Sequence, residues 1–129
     1  MIKCNEESRL RLPKKPDSYT STNKYSACVE FEFENEDRHG FHTSQLIDYT
    51  LKANPDVGDD RAAPPQKLTL AFSTADVAIL GWRLARLADL LRDNELSSVR
   101  ELPKSYAEMD VYSSKPFVTS IIITPITKG

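Results

Sequence analysis

The sequence contains few of the residues on which disulfide-rich, redox and nucleotide-binding proteins depend. Its two cysteines, Cys4 and Cys28, are too few and too far apart for a disulfide framework and form no C-x-x-C motif. None of its four glycines belongs to a G-x-G-x-x-G or G-x-x-x-x-G-K-[ST] sequence, so the loops that cradle nucleotide phosphates are missing. We therefore expect no cofactor, and we expect Cys28 to be a small buried hydrophobic residue.

An excess of basic charge and long apolar runs are also missing. The chain has 17 Lys and Arg against 19 Asp and Glu, a net charge of −2, which argues against binding to nucleic acid because such binding needs concentrated positive charge. No apolar run approaches the roughly 18 residues that span a bilayer, and the first residues lack the apolar core of a secretory signal. These absences predict a cytoplasmic protein without a membrane segment.

Length and composition predict one domain preceded by an arm. The 129 residues have room for one core, and 40% hydrophobic with 28% charged residues is an ordinary globular balance. Residues 1–24 are basic and contain two prolines, so they are predicted to form an N-terminal arm. The alternation of Leu10 and Leu12 with arginines could make a short edge strand within it. The domain itself is expected at 25–129.

The clearest predicted strand covers residues 24–34, where apolar and polar side chains alternate. Val29 and Phe31 fall on one face of this strand. Turn-forming residues follow, and a second strand is predicted from Phe41 onward, since the alternation continues to Leu51; a helix over the same stretch is the less favoured alternative. A hairpin of these two strands would place Phe31 on the same face as Phe41 and Ile47, where cross-strand aromatic contacts set the register.

Further elements are predicted along the rest of the chain. Residues 54–66 have loop composition, and strands are predicted at 67–72, near 99–102 and at 117–126. The last strand is apolar on both faces, which predicts a central position in the sheet. With a helix at 73–95, this order predicts an α+β domain: an antiparallel or mixed sheet of about five strands with one amphipathic helix packed across it.

The predicted helix suggests an interaction surface. Its apolar residues recur at steps of three and four and would pack on the sheet, where Gly81 would allow close approach. Its opposite face mixes apolar and basic residues, and a tryptophan flanked by arginines is typical of an interface hot spot. The predicted interface residues are Ile79, Trp82, Arg83, Arg86 and Leu90. They predict a protein partner or a homodimer, unless a loop or the arm of the same chain covers Trp82.

An acidic face is predicted on the first strand. Glu30, Glu32 and Glu34 recur at every second position, so they share one side of it. Such a ladder usually keeps a sheet face in water and discourages edge-to-edge aggregation. The alternative is that it covers a basic surface on a target, as in an inhibitor or an immunity-like protein.

The two histidines are the candidate metal ligands. His39 and His42 form an H-x-x-H sequence, but residues three apart on a strand point to opposite faces, so the metal signal is weak. A small metal-dependent hydrolase is the corresponding alternative function. No G-x-S-x-G motif or other recognisable catalytic order is present, and no catalytic residue is assigned. The preferred prediction is a noncatalytic protein-binding or self-associating module.

Overall fold

A computed structural model describes residues 16–55, 63–106 and 114–126. The strands are β1 (Tyr19–Ser21), β2 (Cys28–Glu32), β3 (Arg38–His42), β4 (Leu46–Ala53), β5 (Gln66–Phe72), β6 (Ala75–Trp82), β7 (Leu96–Arg100) and β8 (Phe117–Pro125). One α-helix, α1 (Ala85–Arg92), follows β6, and short 3-10 turns lie at Thr43–Gln45 and Lys104–Tyr106.

These elements form two four-stranded sheets. The first sheet has the order β1-β7-β2-β3 and the second the order β4-β5-β6-β8. The prediction of a small single-domain α+β fold is confirmed, whereas the prediction of one sheet with about five strands is wrong. The strand predicted at Leu10 and Leu12 lies outside the described residues, as do residues 56–62 of the predicted loop.

The core lies between the two sheets. Alternation along β5 buries Leu68, Leu70 and Phe72 while the residues between them stay partly exposed. In the first sheet, Phe31 meets Phe41 edge to face at a centroid distance of 5.9 Å, which confirms the predicted hairpin contact. Phe41 in turn stacks on Phe72 at 4.2 Å. Aromatic contacts therefore join the first sheet to the second.

The second predicted strand is wrong in its length, because the chain changes sheets in the middle of it. β3 ends at His42, and the 3-10 turn begins with Thr43, whose amide donates to the carbonyl of Ala27, the residue before β2 of the first sheet, at 2.8 Å. The turn ends with Gln45, whose carbonyl accepts from Ser73 next to the second sheet at 2.9 Å. Ile47, predicted to share a face with Phe31, is 69% exposed at an irregularity of β4.

The prediction of a helix over 73–95 is wrong in its first half. Residues 75–82 form strand β6, which pairs antiparallel with β5 on one side and β8 on the other. The segment carries apolar residues at both helical and alternating spacings, so its periodicity has two solutions. Its β-branched residues Val77 and Ile79 fit the pleated surface, and neighbouring strands supply both sides with hydrogen bonds.

The helix that remains, α1, is eight residues long and packs into the core. Its apolar face buries Leu87, Leu90 and Leu91, and its contacts include β4 of the second sheet and β7 of the first. After the last residue of the helix, Arg92, the chain turns at Asn94, which has a φ of 57°. There the amide of Glu95 donates to the carbonyl of Leu90 at 2.8 Å, as in a left-handed helix cap.

The last strand, β8, is an edge strand within the described residues, so the predicted central position is wrong. Ile121 is buried against the core, but Ile122 points outward and is 50% exposed. The register of β8 against β6 shifts between Leu80 and Gly81, and beyond the shift Phe117 and Val118 are both buried. The apolar residues on both faces of β8 therefore do not indicate a central strand. Phe117 and Val118 are both buried because the strand is irregular at that end, and Ile122 lies on an exposed outer face.

Glu101 links the two sheets through its carboxylate. One oxygen accepts from the amide of Glu34, just after β2, at 2.9 Å. The other accepts from the amide of Ile121 in β8 at 2.8 Å. Both partners are backbone donors, so each carboxylate oxygen of Glu101 acts as an acceptor, one toward each sheet.

Glu101→Gln is expected to lower the free energy of unfolding by about 2 kcal/mol, because the amide nitrogen would face a backbone donor. The measurement is urea denaturation followed by circular dichroism. Glu30→Gln is the control, since its ion pair with Arg38 is long at 3.6 Å and exposed. Equal effects of the two substitutions would contradict the bridging role of Glu101.

Candidate interaction surface

The predicted acidic face is paired with arginines. Glu30 and Glu32 do lie on the side of β2 opposite to the buried Val29 and Phe31. However, Arg38 of β3 lies 3.6 Å from the carboxylate of Glu30, and Arg100 of β7 lies 2.8 Å from that of Glu32. The outer face of the first sheet is therefore a mixed-charge surface.

The pairing involves strands that are distant in sequence. Glu32 lies opposite Arg38 on one neighbouring strand and opposite Arg100 on the other, so the sheet order determines the charge around it. Glu34 comes after the end of β2, and its amide is the one held by Glu101. The alternation along one strand could not reveal these partners.

The two histidines of the weak metal motif point to opposite faces of β3. The ring of His39 stacks on Phe41 at 4.6 Å, whereas Nδ1 of His42 lies 3.6 Å from the sulfur of Cys28. Cys28 is exposed, so the prediction that it is buried is wrong; it belongs to the polar side of β2 together with Glu30. In the part of the chain that the structure describes, no group of three or more His, Cys, Asp or Glu residues could hold a metal ion.

The apolar residues of the predicted interface do not share a surface. Ile79 is fully buried in β6, and Leu90 of α1 is only 1% exposed, so both belong to the core. Trp82 is half-buried at the end of β6, and its ring packs against Phe117 at a centroid distance of 5.4 Å. The helical face that would have joined these residues does not exist, because β6 and α1 are separate elements.

The two predicted interface arginines also lie in different structural elements. Arg83 adopts a φ of 56° in the link between β6 and α1, and its Nε donates to the carbonyl of Lys115 at 2.8 Å. Arg86 is exposed in the first turn of α1. At the other end of the helix, Arg92 donates a hydrogen bond to Asp93 and lowers the pKa of that carboxyl group.

The outer face of the second sheet carries three ordered rows of side chains. Every second residue of each strand points away from the core, and the strand register aligns these residues across the sheet. The acidic row comprises Asp48, Ala71, Asp76 and Thr124. The middle row comprises Thr50, Thr69, Ala78 and Ile122. The basic row comprises Lys52, Lys67, Leu80 and Ser120.

In the described strands of the second sheet, all charged side chains belong to the acidic and basic rows. The acidic and basic rows are four residues apart along each strand, about 13 Å. Within the described residues, none of the charged members, Asp48, Asp76, Lys52 and Lys67, forms an ion pair. Between them, the middle row offers small side chains and Ile122, which is 50% exposed. The face is thus weakly apolar at its centre, with opposite charges at its two ends.

Sequence reasoning missed this surface, although part of its signal was present. Asp48, Thr50 and Lys52 alternate with more buried residues, as do Lys67 and Thr69. Each set could have been interpreted as the outward side of a strand. The remaining members lie in β6, which was predicted to be a helix, and in β8, which was predicted to be central. Only the strand order and register place the four strands' outward residues in common rows.

Two grooves lie on the surface of the described residues. One, of about 630 Å³, is at the β2–β3 turn and is lined by Phe33, Glu34, Asn35, Asp37, Arg38, His39 and Glu101. The other, of about 520 Å³, is on the outer face of β4 and β5 beside the basic row.

No helix of the described residues combines the length and the apolar content needed to cross a membrane. No family model matches the chain, and no curated protein or solved structure matches it either. Function is therefore inferred from the surfaces of the chain itself.

Proposed function

We propose that the protein is a noncatalytic module that self-associates through the outer face of its second sheet. The observation that carries this proposal is the separation of the acidic row from the basic row across the uncharged middle row. A surface that bears both charges at opposite ends can be complementary to itself. Self-complementarity is what a two-fold symmetric interface requires.

The symmetry axis follows from the charge pattern. A two-fold axis along the middle row packs two sheets face to face and reverses the strand direction of one of them. Each acidic row then lies over the basic row of the other copy, so that Asp48 of one chain faces Lys52 of the second. An axis parallel to the strands would instead superpose rows of like charge.

The middle row supplies the apolar contact in this arrangement. Its threonines and Ala78 are small, which lets two sheets approach to the usual spacing of about 10 Å. Ile122, half-exposed in the single chain, becomes buried against the second copy. Burying apolar surface at the centre and charge at the rim is the ordinary anatomy of a protein interface.

The first sheet supports binding less well. Its glutamates are already paired with Arg38 and Arg100, so an inhibitor that used Glu30 and Glu32 against a basic target would first have to break these pairs. Trp82, the centre of the interface predicted from the sequence, contacts Phe117 within the same chain. Its substitution would therefore report on folding as much as on association.

Ile122→Glu is expected to convert the dimer to a folded monomer, because it places a charge at the centre of the contact. Sedimentation velocity at low micromolar concentration in chloride buffer measures the change, and thermal denaturation checks that the variant is folded. Ile47→Glu is the matched control, since Ile47 is more exposed but lies outside the three rows. A monomeric wild-type protein, or equal dissociation by both variants, would overturn the proposal.

A further inference from the structure

Two lysines lie directly opposite each other on the outer face of the second sheet. Lys52 of β4 and Lys67 of β5 are register partners, which brings their Cβ atoms to within about 5.5 Å. Like charges in this position destabilise a sheet unless an anion compensates them. Within the described residues neither lysine has a carboxylate partner.

The groove beside this pair has the chemistry of an anion site. It has a volume of about 520 Å³ and is lined by Thr50, Lys52, Ala53, Pro55, Lys67 and Thr69. The two threonines are also register partners, and they lie two residues from the lysines, about 7 Å along the strands. Ammonium groups and hydroxyls can all donate hydrogen bonds, and the described residues that line this groove include no carboxylate.

We propose that Lys52 and Lys67, together with the hydroxyls of Thr50 and Thr69, bind a phosphate dianion. Two positive charges match a doubly charged ligand, and four donor groups suit its acceptor oxygens. A singly charged carboxylate would leave one ammonium group without compensation. Because the chain as a whole has a net charge of −2, a small phosphate is favoured over a long polyanion.

Phosphate binding has a consequence for the dimer. Lys52 belongs to the basic row, so a bound phosphate would occupy the position of Asp48 from the second copy. Phosphate should therefore shift the dimer towards the monomer. This coupling rests on the proposed function, whereas binding of phosphate to the single chain does not.

The experiment titrates the full chain with inorganic phosphate at constant ionic strength and follows binding by calorimetry. Lys67→Gln is expected to weaken binding at least tenfold, about 1.4 kcal/mol. Lys104→Gln removes an exposed lysine elsewhere and should leave the affinity unchanged. No saturable binding, or equal losses in the two variants, would overturn the site.

Three further arms separate the possible sources of the signal. Tighter binding of a sugar phosphate than of inorganic phosphate would assign the site to a phosphate ester, and the reverse order would assign it to the free ion. Tighter binding of a single-stranded oligonucleotide than of either would overturn the preference for a small ligand. The Ile122→Glu monomer should bind phosphate at least as tightly as the wild type, because no second copy competes for the site, so failure of the dimer and failure of the phosphate site are distinguishable.

Discussion

Gly81→Ala is expected to lower the free energy of unfolding by about 3 kcal/mol, because the new methyl group has no space. A Cβ atom at Gly81 would lie 3.1 Å from the carbonyl carbon of Phe117 and from Cα of Val118, and closer still to the carbonyl oxygen of Phe117. All three are backbone atoms of β8, which cannot move aside as the end of a side chain can. Relief would require the two strands to separate where their register shifts.

The sign of this effect discriminates between a strand and a helix at residues 75–82. In an exposed helix, replacing Gly with Ala stabilises by about 1 kcal/mol. Gly40→Ala in β3 is the control, since the nearest atom to its Cβ would be the carbonyl oxygen of Val29 at 3.9 Å, an ordinary contact. Urea denaturation of both variants measures the difference. A stabilising Gly81→Ala, or one equal to Gly40→Ala, would contradict the close approach of β6 and β8.

The sequence predicts an element well where only one period fits. Along β2, glutamates alternate with Val29 and Phe31, which no helix could place on a single buried face, and the strand is confirmed. Along β6, Val77 and Leu80 satisfy a helical spacing while Val77 and Ile79 satisfy an alternating one. The choice between them depends on whether neighbouring strands supply hydrogen bonds, and this is a property of the whole fold.

The change of sheet between β3 and β4 could not be predicted for a related reason. Alternation continues across Thr43–Gln45 in the sequence, and only the hydrogen bonds of the turn show that the chain leaves one sheet and enters the other. The ion pairs between neighbouring strands could not be predicted either, because they depend on the strand order. Arg100 reaches Glu32 from a strand 68 positions later, so the charge of that face depends on topology.

Reversing one charged row at a time is expected to abolish self-association. In the Asp48→Lys/Asp76→Lys variant all four charges of the outer face become positive, and in the Lys52→Asp/Lys67→Asp variant all become negative. Side chains of like charge then face each other across the interface, which makes the free energy of association less favourable by several kcal/mol. We expect the dissociation constant to rise at least 100-fold, about 2.7 kcal/mol, and sedimentation velocity in phosphate-free buffer to show monomers of both.

Mixing the two variants should restore association, because a wholly basic face is complementary to a wholly acidic one. The expected product is a one-to-one heterodimer, detected by native mass spectrometry from the different masses of the two chains. Arg86→Asp/Lys104→Asp has the same change in net charge as the acidic variant but leaves the three rows intact, so it should remain a dimer. Dissociation of this control would assign the effect to net charge alone. Two variants that stay monomeric when mixed would show that the rows do not face each other.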